Sequence, residues 1–238
     1  MEQSATANQI SIRPYRDGDR AAVRAIAFAT GFMGDRVDWL WGDAESFADL
    51  FTRYYTDREP GSLLIAERAE SVVGYLSGSV DSTRSAGTAG REINRMVLRG
   101  ALVRPSIAAF FWRSIADLVR DRGAPEDVLQ DARWPAHLHI NLLPEGRGLG
   151  LGRQLMEEWF RRLRQLDSSG VHLGTFAENT RALRFFESCG FARHGAPILA
   201  PGFRTREGGR MHLQWMVRSL RQTNGVETGA ALPATTGD

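Results

Sequence analysis

The stretch HLHINLLPEGRGLGLGRQLM, residues 137–156, is the most informative part of this sequence. An apolar run ends at Pro144, a glycine-rich loop around Arg147 follows it, and an amphipathic helix begins directly after the loop. The glycines of the loop alternate with other residues: Gly146, Gly148, Gly150 and Gly152. Such a loop exposes its backbone N–H groups, and the first N–H groups of a helix have no partner within the helix. Since the helix dipole favours negative charge at this end, the sequence predicts a cradle for a phosphate or pyrophosphate.

The spacing of these glycines excludes two common phosphate-binding motifs. A dinucleotide-binding loop needs G-x-G-x-x-G, or alanine at the last position, after a strand. Counted from each of the first three glycines, the sixth position is Leu151, Arg153 or Leu155, so none fits. A nucleoside-triphosphate P-loop needs a lysine, and this chain contains none.

A second segment with a recognisable pattern lies downstream of the glycine loop. VHLGTF (171–176) is predicted to be a short buried strand, and AENTRALRFFESCGF (177–191) follows it. Asn179 is a suitable N-cap for a helix that ends at Gly190. Apolar residues at three- and four-residue spacing give this helix one apolar face: Ala182, Phe185, Phe186 and Cys189.

Together these segments resemble the GCN5-related N-acetyltransferase (GNAT) superfamily. The R-x-x-G-x-G pattern of Arg147, Gly150 and Gly152 matches its pyrophosphate loop, and residues 177–191 are similar to its N-x-x-A-x-x-F-Y-x-x-x-G-F segment. The opening IRPYRDGDRAAVRAI (12–26) also resembles its N-terminus. The resemblance implies an α/β fold of the α+β type. Its mixed, mostly antiparallel sheet is splayed at strands 4 and 5 and flanked by helices.

The resemblance also implies acetyl-CoA as cosubstrate, with no metal. In this reading the loop N–H groups hold the pyrophosphate, the strand before the loop pairs with pantetheine, and Asn179 with its helix borders the thioester. The cofactor-binding residues would be Leu142, Leu143, Arg147, Gly148, Leu149, Gly150, Leu151, Gly152, Arg153, Asn179, Ala182 and Phe186. The ribose phosphate would meet Arg153, Arg181 or Arg184, unless these are simply solvated charges. A glycine-rich turn without a ligand, followed by an ordinary packed helix, remains the alternative.

Phe186 departs from the family pattern, which usually has tyrosine at this position. In the family the tyrosine hydroxyl is the usual candidate for protonating the CoA thiolate, and phenylalanine cannot donate a proton. No general acid is therefore assigned. Two functions remain open: an N-acetyltransferase acting on a small-molecule or peptide amine, and a catalytically silent acyl-CoA-binding regulatory or interaction module.

Two histidines on the strand before the loop are candidates for the general base or its water relay. Because side chains alternate along a strand, His137, His139 and Asn141 share one face. The family reaction is direct acetyl transfer in a ternary complex, and it needs a neutral amine, which a histidine with a pKa near ~6.5 can help to supply. Histidines hydrogen-bonded within the sheet are the alternative. No further ligand at metal-site spacing is visible, so no metal site is predicted.

Composition indicates a globular protein. Of 238 residues, 42% are hydrophobic and 24% charged, and the net charge of +2 predicts neither a nucleic-acid nor a membrane partner. Cys189 is the sole cysteine, which together with the lack of a signal peptide favours the cytoplasm. One domain is predicted over residues 9–220, with disordered tails at 1–8 and 222–238.

The least ordinary region is a long insertion, about residues 81–136, between the third and fourth strands. It is predicted to hold a weak helix at 93–98 and an amphipathic helix at 106–122. One face of the second helix would carry Ile107, Phe110, Phe111, Ile115, Leu118 and Val119. The insertion is expected to close over the acceptor or to form a homodimer contact. With WPAHLHINLLPE, it resembles bacterial acetyltransferases related to the acetyltransferase-like domain of O-GlcNAc hydrolases.

The remaining elements follow from apolar periodicity. Strands are predicted at 10–15, 62–67, 72–79 and 211–218, a helix at 17–29 and another within the aromatic-rich region 31–59. The aromatic residues of that region would pack in the core or line the acceptor pocket. Residues 197–209 are predicted to be a loop, in which Arg204 and Arg206 either select an acidic substrate or are solvated.

Overall fold

The computed structural model describes residues 9–121 and 129–221, and the predicted disordered tails lie outside these ranges. The strands are β1 (Ile10–Pro14), β2 (Leu63–Arg68), β3 (Ser71–Ser79), β4 (Ala136–Leu142), β5 (Gly170–Phe176), β6 (Ala192–Arg204) and β7 (Arg210–Ser219). The α-helices are α1 (Arg20–Thr30), α2 (Ala44–Asp57), α3 (Ser82–Leu98), α4 (Pro105–Arg120), α5 (Leu151–Gln165) and α6 (Thr180–Ser188). None of the helices in these ranges is long and apolar enough to cross a membrane.

The strands form one sheet in the order β1-β2-β3-β4-β5-β7-β6. Strands β4 and β5 run parallel, whereas the other neighbouring pairs of this sheet are antiparallel. Pairing between β4 and β5 covers Ala136 with Val171 and His137 with His172, and the two strands then diverge. A wedge therefore opens between their carboxyl ends. The predicted mostly antiparallel sheet, splayed at strands 4 and 5 and flanked by helices, is confirmed.

Helix α5 covers one face of the sheet and forms the main core. Leu151, Leu155 and Trp159 recur at four-residue spacing on α5 and are fully buried. They pack in one cluster with Leu138 of β4. Because side chains alternate along β4, His137 and His139 lie on the opposite face, as predicted. There they face α2, because Tyr55 of α2 contacts both histidines.

Where the structure describes it, the insertion between β3 and β4 contains the helices α3 and α4. Helix α3 begins at Ser82, eleven residues before the predicted start at 93. Its N-cap is Asp81, whose carboxylate accepts from the backbone N–H of Thr83 at 3.1 Å. Gly87 and Gly90 lower helix propensity in this first half, which explains why the pattern indicated only the second half.

Helix α4 is where it was predicted, but its buried face is different. Ile107 and Phe110 are buried, whereas Ile115 and Val119 are 53% and 74% exposed. The packed face continues instead from Phe110 through Ser114 to Asp117, whose carboxylate meets Arg204 of β6 at 2.7 Å. The predicted apolar face is therefore right for Ile107, Phe110 and Phe111 and wrong for Ile115 and Val119, because a polar contact with β6 fixes the rotation of the helix.

The predicted loop at 197–209 is wrong for residues 197–204, because β6 continues through Arg204, and only residues 205–209 connect β6 to β7. This strand lies at the edge of the sheet, where proline is tolerated, and its pairing with β7 is interrupted by two register shifts. Arg204 is in an ion pair with Asp117 and is not solvated. Arg206 lies over the ring of Trp39, with its guanidinium carbon 5.4 Å from the ring centroid.

Candidate functional site

The open edge of β4 faces the wedge. The N–H of Leu143 donates to the carbonyl of Val73 at 2.8 Å, so the backbone N–H of Leu143 points toward β3. In an antiparallel ladder the backbone groups of alternate residues point to opposite sides. Those of Ile140 and Leu142 therefore point toward β5, which has diverged at this level. Of the two predicted pantetheine partners, Leu142 lies on the open edge, whereas Leu143 has its N–H bound to Val73 and its carbonyl to Gly146.

The glycine loop lies at the wide end of this wedge. Gly148 and Gly150 have φ of +74° and +78°, in the left-handed region that favours glycine. Gly150 is the N-cap of α5. Across the described ranges, the backbone N–H groups of residues 148–153 have no acceptor. The loop thus presents consecutive free donors at a helix N-terminus, the arrangement that binds a phosphate group.

Gly152 brings the loop, β4 and α6 into contact. A Cβ atom at this position would lie 3.2 Å from Cζ of Phe185 and 3.4 Å from Cδ1 of Leu142. The cradle is therefore built directly against the open edge of β4, without space for a side chain between them. Leu149 and Leu151 anchor the loop, since Leu151 is buried in the main core and Leu149 packs against it.

Two arginines at the mouth of the wedge bind the 31–35 loop. The Arg147 guanidinium donates to the carbonyl of Leu142 at 3.0 Å and to that of Gly34. Arg181, in the first turn of α6, donates to the carbonyl of Met33 at 3.1 Å. Burial and the nearby Arg181 charge lower the pKa of Arg147. The backbone N–H of Arg147 is bound to Pro144, so this residue offers its guanidinium and not its N–H. Arg153 and Arg184 are exposed on the outer faces of α5 and α6.

Asn179 caps α6 as predicted, because its side-chain oxygen accepts from the N–H of Ala182 at 3.1 Å. Ala182 is half-buried and packs against the main core. Phe186 is buried in that core, with its ring centroid 5.3 Å from Phe185 and 5.9 Å from Phe191. Its position explains why an apolar ring is tolerated here.

The two candidate histidines belong to a larger cluster. The ring centroids of His137 and His139 are 4.5 Å apart, and the ring centroid of His172 on β5 lies 5.5 Å from that of His137. The hydroxyl of Tyr55 is 3.4 Å from Nδ1 of His137. His172 is fully buried, with Nδ1 2.7 Å from the carbonyl of Trp134. Tyr55 and His172 were missed because they are distant in sequence, and only the sheet register and the packing of α2 bring them here.

Burial makes these histidines weaker bases than free imidazole. It lowers the pKa of His139 to about 4 and the pKa of His137 well below its usual value, with smaller effects from neighbouring histidines. Both rings are therefore neutral at pH 7. In the described part of the chain, no group of three or more His, Cys, Asp or Glu is placed to hold a metal ion.

An aromatic cluster fills the space beside the histidines on the same face. Trp41, Phe47 and Tyr55 are buried, and Phe176 at the end of β5 packs against Phe32. Most aromatic residues of the 31–59 region therefore serve core packing. Asn141, beside His139 on β4, is held by a 2.6 Å hydrogen bond to the hydroxyl of Thr30. This bond fixes the C-terminal end of α1 against the strand that carries the histidines.

Comparison with solved structures gives the same fold. A protein named SsHAT matches over 90% of this chain and 100% of its own, with 24% identity and a TM-score of 0.62. The putative acetyltransferase yncA from Salmonella typhimurium, solved with acetyl-CoA, covers 93% of this chain and 99% of its own, with 18% identity and a TM-score of 0.54. A phosphinothricin acetyltransferase from Sinorhizobium meliloti in complex with AcCoA covers 88% of both chains, with 16% identity and a TM-score of 0.55.

The sequence itself matches the profile of a family. The match covers residues 35–191, which include the insertion, the histidine strand, the glycine loop and α6. The chain belongs to the acetyltransferase (GNAT) family.

Proposed function

We propose that this protein is an acetyl-CoA-dependent N-acetyltransferase that transfers the acetyl group directly to an amine in a ternary complex. The observation that carries the proposal is the meeting of an unpaired strand edge and a phosphate cradle at one end of the wedge. Ile140 and Leu142 offer the edge, and residues 148–153 offer the free N–H groups. Two acetyltransferases of similar fold are described as acetyl-CoA complexes, which supports the assignment.

Each part of the wedge has a role in holding acetyl-CoA. The backbone N–H of Leu142 and the backbone groups of Ile140 would pair with the amide groups of pantetheine, as a neighbouring strand would, because the Leu142 carbonyl already accepts from Arg147. The N–H groups of the loop would bind the pyrophosphate, and the Arg147 guanidinium would add positive charge. Gly152 has no side chain, so the start of α5 packs closely against the side chains of Leu142 on β4 and Phe185 on α6.

Acetyl-CoA supplies a thioester whose carbonyl carbon is open to attack by an amine. The amine must lose a proton, and a free alkyl ammonium has a pKa near ~10. Because the pKa of His139 is about 4, this ring cannot hold that proton stably. We propose that His137 and His139 position water that carries the proton to solvent, with Tyr55 orienting His137. Phe186 donates no proton, so the thiolate leaves without a general acid, as a thiol pKa near ~8.5 permits.

The acceptor is proposed to be a small-molecule or peptide amine. The insertion would close over it, and the exposed apolar residues of α4, including Trp112, are where we place a homodimer contact. A monomeric mass by light scattering would remove the dimer proposal. The narrower likeness to bacterial proteins related to the acetyltransferase-like domain of O-GlcNAc hydrolases is part of this proposal, and it gives no acceptor.

A second function is favoured by the buried Phe186. A catalytically silent acyl-CoA-binding module needs the same cradle and the same strand edge, but it does not need an acid for the thiolate. Members of the proposed subgroup are not uniformly active, which agrees with this alternative. The two functions differ in turnover alone, because both predict that acetyl-CoA binds.

Thiol release from acetyl-CoA across a panel of amines separates the two functions. The transferase predicts release that depends on an acceptor, is lost in Gly150→Glu and is retained in Gly208→Glu. Gly208 is the matched control, because its φ is also positive at +88° and no atom would lie within 4 Å of an added Cβ. Binding of acetyl-CoA without release for small amines and peptides alike would favour the silent module.

A further inference from the structure

A second concave site lies at the opposite end of α5 from the glycine loop. The groove has a volume of about 530 Å³, within the range of small-molecule sites. It is formed where α3 of the insertion meets the body of the protein. Its lining residues are Tyr54, Arg58, Glu59, Val80, Arg84, Thr88, Arg91, Arg162 and Leu166. Arg162 is twelve residues beyond Gly150 on α5, which corresponds to about 18 Å along the helix axis.

Arginines from three elements converge on this groove. Arg84, Thr88 and Arg91 follow one another at four- and three-residue spacing and therefore share one face of α3. Arg58 follows α2, and Arg162 lies near the end of α5. Two sides of the groove thus belong to the body and one side to the insertion.

These arginines are poorly neutralised by the protein. Neither Arg58 nor Arg91 has a carboxylate within 4.0 Å among residues 9–121 and 129–221. Arg84 has a single long contact, 3.4 Å from the exposed carboxylate of Asp81. Arg162 approaches Ser62 at 3.5 Å, and its Nε is buried without a hydrogen-bond partner. Like charges that converge without partners repel one another, and a bound anion removes that repulsion.

Glu59, the carboxylate among the lining residues, forms no ion pair within 4.0 Å with these arginines. One oxygen of Glu59 accepts from the N–H of Val80 and the hydroxyl of Ser62, both at 2.9 Å. The other accepts from the hydroxyls of Tyr54 at 2.8 Å and Ser79 at 2.9 Å. Its acceptor capacity is used in holding the end of β3, so Glu59 is a structural group of the groove wall.

We propose that this groove binds a small polyanion, a molecule that carries two or more phosphate or carboxylate groups. Guanidinium groups pair with both kinds of group through two parallel hydrogen bonds. One anionic group would contact Arg58 and Arg162 of the body, and a second would contact Arg84 and Arg91 of α3. Leu166 and Val80 would pack against the ligand carbon skeleton. The ligand would thereby join the insertion to the body, at a site separate from the wedge.

Pyrophosphate and citrate are the probes, titrated by calorimetry at about 50 mM salt and in the presence of saturating CoA, since screening is weak at this salt concentration. Wild type is expected to bind at least one probe, and the probe bound shows whether phosphate or carboxylate is preferred. Arg58→Gln combined with Arg91→Gln should weaken binding at least tenfold. Both side chains are exposed, so the variant should fold normally.

Arg161→Gln is the matched control, because Arg161 is exposed on the same helix as Arg162 but pairs with Glu158 outside the groove. Its affinity should stay within twofold of wild type, and amide exchange in α3 should slow when the probe binds wild type. The proposal is overturned if neither probe binds, or if the double variant binds as wild type does. Displacement of pyrophosphate by CoA would also overturn it, since the probe would then occupy the glycine loop.

Discussion

At the scale of single residues, the histidine cluster shows how strongly burial lowers the pKa of an imidazole. The alternation HLHIN predicts correctly that His137 and His139 share a face of β4. It does not predict that Tyr55 and His172 close over them, because both arrive from distant elements. The ordinary histidine pKa assumed from sequence is therefore wrong here, since burial dominates.

These buried histidines make the protein lose stability as the pH falls. The folded state holds His139 neutral down to about pH 4, whereas the unfolded chain binds a proton near pH ~6.5. The free energy of unfolding should therefore decrease from pH 6.5 downward, by up to about 1.4 kcal/mol per pH unit for each such histidine. Urea denaturation at pH 7, 6 and 5 measures this slope, and carboxylates contribute little in this window.

His139→Asn provides the control for that slope. This substitution removes one titrating group, so the slope of the free energy of unfolding against pH should decrease by the contribution of one proton. The slope that remains, from His137 and His172, should keep the same sign. A wild-type stability that is flat between pH 7 and pH 5 would contradict the assignment of low pKa values to this cluster.

At the scale of elements, the contact between Asp117 of α4 and Arg204 of β6 explains two wrong predictions, the apolar face of α4 and the loop at 197–209. Asp117 accepts from both Nη atoms of Arg204 at 2.7 Å and from the N–H of Gly202 at 2.9 Å. A buried carboxylate within an apolar helix pattern gives no signal of its partner, and two prolines and two glycines make β6 resemble a loop. Long-range pairing thus decides both the rotation of α4 and the extent of β6.

Asp117→Ala should destabilise the protein strongly. The substitution leaves the largely buried Arg204 without its partner, which costs about 3 kcal/mol for ion pairs of this kind. Asp121→Ala is the matched control on the end of the same helix, because Asp121 and its partner Arg210 are more exposed, and it should cost less than about 1 kcal/mol. Thermal unfolding that gives equal losses for the two variants would contradict the role assigned to Asp117.

At the scale of the whole molecule, the sequence predicted what local patterns encode. The glycine loop and the Asn179 segment are local patterns, and they carried the resemblance to the GNAT superfamily that implied the splayed sheet. The alternation of β4 is also local, and it placed the histidines on one face. Three features depend on the assembled fold: the open edge of β4 at Ile140 and Leu142, the contact of Arg147 and Arg181 with the 31–35 loop, and the arginine groove beside α3. Their residues come from elements that lie far apart in the chain, so no spacing rule identifies them.

Calorimetric titration of acetyl-CoA into wild type, Gly150→Glu and Gly208→Glu tests whether the wedge and its glycine loop hold the cosubstrate. Micromolar binding is expected for wild type and Gly208→Glu. The affinity of Gly150→Glu should fall at least a hundredfold, because a carboxylate and a strained backbone would enter the cradle at φ +78°. Equal affinity for all three proteins, or no binding to wild type, would contradict the claim that the wedge and its glycine loop hold acetyl-CoA.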